Sequence, residues 1–247
     1  MSRKVFKTSE FKVFTLALLL SAAWPALANA QDRETSYPSM APLEQYLMAD
    51  RNAEIGLARS AAPAAIAADA TILVLARRGY EKAVEGKNGF VCLVARKWDT
   101  PFAVPDFWNP KVRAPICFNP QASRSVVAEV LKRTELALAG LSKTEIMARI
   151  KSAFEKKEFE LPEPGAMAYM MSKEQYLDDQ DPHFQPHLMF YVPNSKGGTD
   201  WGANQPKSPV LMGPDRLPDG SPEPVLIFVI PVTHWSDGTA AAGHEKH

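Results

Sequence analysis

The stretch NPQASRSVVAEVLKRTELALAGLSKTEIMARIKSAFEKK, residues 119–157, carries the strongest local signals in the chain. Asn119 followed by Pro120 is typical of a helix start, with asparagine as the cap and proline at the first helical position. Apolar residues then recur on one face as far as Gly140, and glycine is a natural stop for a helix. This half of the stretch therefore predicts a helix near 120–139.

The second half of the stretch repeats the same signals. Ser142 followed three residues later by Glu145 matches a capping box, in which each residue satisfies a backbone N–H of the other. Apolar residues again fall on one face, so a second helix is predicted near 143–157. Because only a few residues separate the two helices, they are expected to form an αα-hairpin near 120–157.

Outside this hairpin, the apolar pattern shortens to the length of strands. Five apolar runs, each bounded by turn residues, have that length: 71–76, 90–95, 166–171, 188–192 and 225–232. The first two are expected to be antiparallel neighbours. One further helix is predicted over about 42–60, where Pro42 would occupy the first helical position.

Strands, then a helical hairpin, then strands again, without βαβ alternation, favour the α+β class. We predict a mainly antiparallel sheet of about five strands, covered on one face by two or three helices. The predicted domain organisation is a signal peptide at 1–30, a flexible polar arm at 31–41, one α+β domain at 42–237 and a disordered tail at 238–247. The alternative is a two-domain protein divided near residue 120.

The first 30 residues have the pattern of a secretory signal peptide. Four basic residues precede the apolar run VFTLALLLSAA at 13–23, and small residues at Ala28 and Ala30 suit a cleavage site. The run is too short to span a bilayer, although an uncleaved anchor is the alternative. We expect export by the general secretory route to the periplasm or the extracellular medium. After cleavage, no stable membrane insertion is expected.

Composition narrows the range of partners. Lys+Arg and Asp+Glu both number 28, so the formal net charge is zero. With no basic surplus to neutralise phosphates, no nucleic-acid partner is expected. A small molecule or another protein is the partner that this composition leaves open.

The two cysteines, Cys92 and Cys117, are an even count in a chain that is predicted to be exported. This favours one disulfide, with Cα atoms about 4.4–6.8 Å apart. The alternative is a pair of buried thiols, because both cysteines have apolar neighbours.

Aromatic residues interleave with prolines after the second predicted strand. Trp98 and Trp108 lie in a segment in which five prolines recur, and prolines at that density argue against a helix or a central strand. Trp201 lies in a long Gly- and Pro-rich connection at 195–224, which is either functional or disordered. These tryptophans are candidate walls of a ligand site, and the alternative is structural cover for an apolar face.

Acidic and imidazole side chains concentrate in the segment DDQDPHFQPH at 178–187. Asp181, His183 and His187 are ligand types that suit a divalent metal ion, and His234 is a candidate further ligand. An ordinary acidic loop is the alternative interpretation. Methionines in the flanking strands, beside His187, suit copper(I) as a second hypothetical cofactor: Met167, Met170, Met171 and Met189.

The sequence contains no phosphate-binding glycine loop, nucleophile elbow or zinc-protease motif. Whether the protein is an enzyme is therefore left open. The leading hypothesis is a non-enzymatic exported domain that binds a small ligand or a partner. The alternative is a metal-binding protein, with a hydrolytic activity based on the loop that contains Asp181, His183 and His187.

Overall fold

The computed structural model describes residues 37–194 and 199–241. Within them, the chain forms five α-helices: α1 (Arg51–Arg59), α2 (Ala64–Ala67), α3 (Pro120–Ser125), α4 (Val127–Leu138) and α5 (Lys143–Glu155). The strands of the same residues are β1 (Thr71–Ala76), β2 (Gly79–Val84), β3 (Val91–Ala95), β4 (Ala114–Phe118), β5 (Met167–Met170), β6 (His187–Pro193), β7 (Leu211–Met212) and β8 (Val225–Pro231). The predicted signal peptide lies outside the described residues.

The strands form one sheet with the order β2-β1-β3-β4-β5-β6-β8-β7. All neighbouring pairs are antiparallel except β1 and β3, which are parallel. The mixed helix and strand content and the mainly antiparallel sheet agree with the predicted class. The predicted numbers of about five strands and of two or three helices are wrong, because eight strands and five α-helices are present in the described part of the chain.

Three strands, β2, β4 and β7, were not predicted. β7 is only two residues long, so it has no apolar run of strand length. β2, with the sequence GYEKAV, is a polar edge strand and therefore has no apolar run. It forms a hairpin with β1 and occupies one side of that strand. β3 therefore pairs with β1 on its other side, and these two strands are parallel. The predicted antiparallel pairing of 71–76 with 90–95 is therefore wrong.

β4 lies in the centre of the sheet although it contains a proline. Pro115 pairs with Val94 of β3, whereas β5 pairs only with Cys117 and Phe118. Position 115 thus has no neighbouring strand on its second side, and proline is tolerated there as it is on an edge strand.

Helices cover both faces of the sheet, not one face as predicted. In β4, Cys117 packs in the cluster that contains α1, while its neighbours Ile116 and Phe118 pack against α4. Alternation of side chains along the strand explains this division. The helices and the sheet thus form three layers, and the αα-hairpin lies on the α4 side.

The predicted helix boundaries hold best where caps specify them. The Ser142–Glu145 capping box begins α5, and Gly140 has the positive φ of 83° expected at a helix stop. The first predicted helix of the hairpin is instead two helices that meet at Val126. The predicted helix over 42–60 is a 3₁₀ turn followed by α1, which Asp50 caps through the N–H of Asn52.

The predicted disulfide between Cys92 and Cys117 is present and connects β3 to β4. The two residues are direct partners in the strand register, and both are fully buried. Their Cα atoms are 3.9 Å apart, below the predicted range of about 4.4–6.8 Å. The bridge closes the loop that contains the aromatic and proline-rich segment.

A buried ion pair joins α1 to the end of β3. The Glu54 carboxylate accepts hydrogen bonds from Arg96 Nη2 at 3.0 Å and from the Leu75 N–H at 3.1 Å. Arg96 Nε also donates to the carbonyl of Tyr46 at 2.8 Å. Both charged side chains are at most 2% exposed, so they depend on each other for compensation of charge.

The two ends of the described chain make different contacts with the rest of the protein. Of the predicted arm, residues 37–41 are described, and the Tyr37 hydroxyl donates to Asp179 Oδ2 at 2.7 Å. Asp179 also accepts hydrogen bonds from Tyr176 and Lys111, which hold its pKa well below the ordinary value. Of the predicted tail, residues 238–241 are described, and His234 forms an isolated bridge with Ala240.

Candidate ligand-binding cavity

An apolar cavity of ≈ 150 Å³ lies between the sheet and the αα-hairpin. Its floor consists of side chains from β3, β4, β5, β6 and β8, and its roof consists of side chains from α4 and α5. The loop that follows β3 and the segment 214–224 close its sides. The cavity therefore lies in the layer between the sheet and the helices.

The walls follow from simple sequence periodicities. Alternate residues of three strands point to the same face of the sheet and line the floor: Ile116 and Phe118, Met189 and Tyr191, and Val225 and Ile227. From above, Val126 and Val130, four residues apart, present one stripe of the α4 region. These positions make most of the lining apolar.

One side of the cavity is polar because charged residues replace apolar ones there. Arg133 of α4 is buried, and its Nε and Nη2 donate to Glu129 Oε1 at 2.8 and 2.6 Å. Its Nη1 donates to the carbonyl of Thr100 at 2.7 Å. Its guanidinium lies over the Phe102 ring, 4.0 Å from the centroid. The cation is thus fixed by a carboxylate, a carbonyl and an aromatic face.

Two further carboxyl groups line the same side, and neither is fully hydrogen-bonded. Asp99 Oδ2 accepts from the N–H of Arg96 at 3.1 Å, but its Oδ1 is buried and has no partner among the described residues. Glu223 is 6% exposed, and its Oε1 is also buried without a partner in the described part of the chain. Two residues of the cavity lining thus each have a buried acceptor oxygen without a partner among the described residues.

Burial controls the ionisation of these groups. It raises the pKa of Asp99 from 3.8 to about 7, although the Arg96 N–H and Arg133 oppose the change. It also raises the pKa of Glu223 from 4.5 to about 7, and here Arg133 is again the main opposing charge. Burial, with a smaller contribution from Glu129, raises the pKa of Tyr191. At neutral pH the two carboxyl groups are therefore between their protonated and ionised forms.

The structure places the three predicted tryptophans outside this lining. Trp98 is buried and donates from Nε1 to Thr134 Oγ1 at 3.0 Å, and Trp108 is buried beside it. Trp201 is 40% exposed and stacks on Phe228, with ring centroids 4.4 Å apart. Because Phe228 alternates with Ile227, Trp201 lies on the sheet face opposite the cavity. Trp98 and Trp108 belong to a buried apolar cluster.

The candidate metal ligands differ in their exposure to solvent. Asp181 and His183 are exposed on the loop, whereas His187 is buried at the start of β6. His187 Nδ1 is 2.8 Å from the carbonyl of Gln185, and burial lowers its pKa. His234 is exposed and bonds through Nδ1 to Thr233. Among the described residues, no group of three or more His, Cys, Asp or Glu side chains is placed to hold a metal ion.

The methionines considered for copper divide between the two faces of the sheet. Met170 and Met189 line the cavity. Met167 and Met171 alternate with Met170 and therefore point to the other face. The four side chains accordingly belong to two different environments.

Sequence reasoning missed the charged residues of the cavity. Glu129 and Arg133 have the i, i+4 spacing of a helical ion pair, and this was the available signal. The apolar pattern alone does not find them, and it also takes in Leu131, which is exposed. Nothing in the sequence near Asp99 or Glu223 indicates that these residues meet Arg133, because they lie in separate loops.

Comparison with protein families, with curated proteins and with solved structures gave no match to this chain. In the described ranges, no helix combines the length and apolar character that crossing a membrane requires. The functional proposal therefore depends on the cavity itself.

Replacing Glu223 by glutamine should change how stability depends on pH. The pKa of Glu223 is higher in the folded than in the unfolded protein, so its protonated form favours folding at low pH. This contribution is lost as the pH rises from about 4.5 to about 7. Between pH 5 and pH 8, the wild type should lose about 2 kcal/mol of unfolding free energy relative to Glu223→Gln. Urea denaturation of both proteins at each pH measures this difference.

The control is Glu158→Gln, which changes an exposed carboxylate. The difference between the wild type and this control should stay constant with pH to within about 0.5 kcal/mol. An equally constant difference for Glu223→Gln would show that Glu223 is not held in a desolvated site.

Proposed function

We propose that the protein is a non-enzymatic, exported protein that binds a small, mainly apolar molecule in the cavity between the sheet and the αα-hairpin. The observation that carries the proposal is the cavity itself, ≈ 150 Å³ of space lined mostly by apolar side chains inside an otherwise packed layer. Protein interiors are close-packed, so unfilled space lined by apolar side chains is available to a ligand.

The cavity volume limits the size of the ligand. An apolar cavity of about 150 Å³ in another protein stays dry and binds benzene. The volume here matches the same class, a single ring or a short alkyl chain of six to ten heavy atoms, by the order of magnitude of that example. Phe118, Met170 and Ile227 provide dispersion contacts for such a body.

The proposal of export has separate support. The N-terminal 30 residues have the composition of a signal peptide, and the Cys92–Cys117 bridge is of a kind that persists in oxidising compartments. The bridge closes the loop that contains Asp99 and Phe102, which line the cavity. An oxidising compartment would therefore preserve the shape of the proposed site.

Toluene should stabilise the protein by binding in the cavity. At ten times its Kd, a ligand that binds only the folded state contributes about 1.4 kcal/mol. For a domain of this size, the expected rise in Tm is about 3–6 °C. Calorimetric melting of the purified protein at increasing toluene concentration measures the rise. Toluene concentrations that leave the Tm of the wild type unchanged or lower it would refute the proposal.

Two variants of α4 locate the binding site. Val130→Phe places a larger side chain into the cavity and should abolish the rise in Tm. Leu131→Phe enlarges the neighbouring, exposed residue and should preserve the rise. If Leu131→Phe abolished it and Val130→Phe did not, toluene would be binding elsewhere.

A further inference from the structure

The polar side of the cavity has an excess of carboxyl groups over available cations. Asp99, Glu129 and Glu223 line it together with Arg133. The Arg133 guanidinium already bonds to Glu129 and to the carbonyl of Thr100. Once Arg133 and Glu129 are paired, two carboxyl groups are left to interact with whatever occupies the cavity.

The other cations around the cavity are engaged elsewhere. Arg96 is paired with Glu54 in the buried ion pair below the loop. Lys151 of α5 bonds to Asp219 Oδ2 and Ser221 Oγ, each at 3.0 Å. Neither cation therefore provides the donor that the two carboxyl groups lack.

Glu223 gives the most direct evidence for a ligand group. Its side chain is more than nine-tenths buried, lines the cavity and has one oxygen without a partner in the described structure. A buried carboxylate oxygen without a partner costs free energy, and a donor from a ligand removes that cost. Asp99, which also lines the cavity, has a second such oxygen, Oδ1, buried and without a partner among the described residues.

We propose that the cavity selects a small primary amine, in which a protonated amino group lies between Asp99 and Glu223 and a single ring or short alkyl chain fills the apolar part. The inference rests on the proposed function, because it assigns the head group of the ligand that the cavity binds. An ammonium group provides three donors and the positive charge that these carboxyl groups require.

An anionic ligand fits the cavity less well. Its charge would have to meet Arg133, which is already occupied by Glu129 and by backbone carbonyls and is stacked on Phe102. The anion would also approach Asp99 and Glu223 and keep both protonated. The arrangement thus favours a cation over a carboxylate of the same size.

Four ligands of nearly equal size test the proposed function and the proposed amine head group separately: benzylamine, benzyl alcohol, toluene and benzoate. Their Kd values are to be measured by calorimetry with the purified protein at pH 8. Benzylamine should bind about ten- to a hundredfold more tightly than toluene, the range expected for hydrogen bonds to a charged group. Benzoate should bind most weakly.

Each result has a distinct meaning. If toluene and benzyl alcohol bind and benzylamine binds no more tightly than they do, the head-group inference is wrong and the proposed function stands. Tighter binding of benzoate overturns the inference in favour of Arg133 as the partner. Failure of toluene to bind, whatever the other three ligands do, overturns the proposed function itself.

The pH dependence of benzylamine binding independently tests whether the two ionised carboxyl groups bind the amine. The charged and titratable groups around the two carboxyl groups come from six elements: Tyr80 of β2, Arg96 after β3, Glu129 and Arg133 of α4, Lys151 of α5, and Tyr191 of β6, with Asp99 and Glu223 themselves in the loops after β3 and before β8. As the pH rises from 6 to 8, Asp99 and Glu223 ionise. Benzylamine affinity should increase about tenfold, because a group with a pKa of about 7 is mostly protonated at pH 6 and mostly ionised at pH 8.

Toluene carries no charge, so its affinity should change less than twofold over the same pH range. Glu223→Gln should weaken benzylamine binding about tenfold and leave toluene binding within twofold. Glu158→Gln, the exposed control, should change neither affinity. An unchanged affinity for benzylamine in Glu223→Gln, with toluene still bound, would refute the role of this carboxylate.

Discussion

Glu54→Ala is expected to lower the free energy of unfolding by about 3–5 kcal/mol. The substitution removes the carboxylate that compensates Arg96, whose side chain is fully buried. It also removes the acceptor of the Leu75 N–H and leaves a cavity in α1. The guanidinium then has only backbone carbonyls as partners, and these do not neutralise its charge.

The matched control is Glu44→Ala, which breaks the exposed ion pair with Arg77. Those two side chains are 63% and 71% exposed, and such a pair contributes at most about 1 kcal/mol. Equilibrium urea denaturation, followed by tryptophan fluorescence, measures both variants. If Glu54→Ala cost no more than the control, Arg96 would be neutralised by another group and the buried ion pair would not be structural.

Cys117→Ser is expected to lower the free energy of unfolding by about 2–5 kcal/mol. The disulfide restricts the unfolded chain over a sequence separation of 25 residues, and its loss restores that conformational freedom. The new hydroxyl would also be buried without an assigned partner, at a position that is 0% exposed. Denaturation under non-reducing conditions measures the loss.

The double variant Cys92→Ala/Cys117→Ala separates these two causes, because it removes the bridge without adding a buried hydroxyl. It should retain most of the destabilisation. Thiol titration of the denatured, unreduced wild type should find no free thiol from this pair. Two free thiols per chain would contradict the bridge, and a stability equal to that of the wild type would contradict its structural role.

The parts of the fold that sequence predicts are those specified by neighbouring residues. The capping box at Ser142 and the stop at Gly140 depend on contacts within one helical turn, so the αα-hairpin was correctly placed. Strand β2 has no apolar run because it lies at an edge. The parallel pairing of β1 and β3 depends on β2. Because β2 was not predicted, the pairing of β1 with β3 was predicted wrongly as antiparallel.

The disulfide was predictable because its evidence is chemical: two cysteines in a chain that is predicted to be exported. The cavity was not predictable, because its polar groups come from separate parts of the chain. Asp99 lies beyond β3, Arg133 on α4 and Glu223 just before β8. Only the packing of the hairpin on the sheet brings these residues together, and no local sequence pattern predicts that packing.

The two outer strands of the sheet have a consequence for self-association. An exposed strand edge can pair with another chain and begin a fibril, and charged residues or very short edge strands suppress this. β2 presents exposed Glu81 and Lys82 at one edge, and β7, two residues long, forms the other. A second chain would meet charged side chains at the β2 edge, and it could form few backbone hydrogen bonds with the short β7 edge. Both edges of the sheet therefore oppose the addition of further strands.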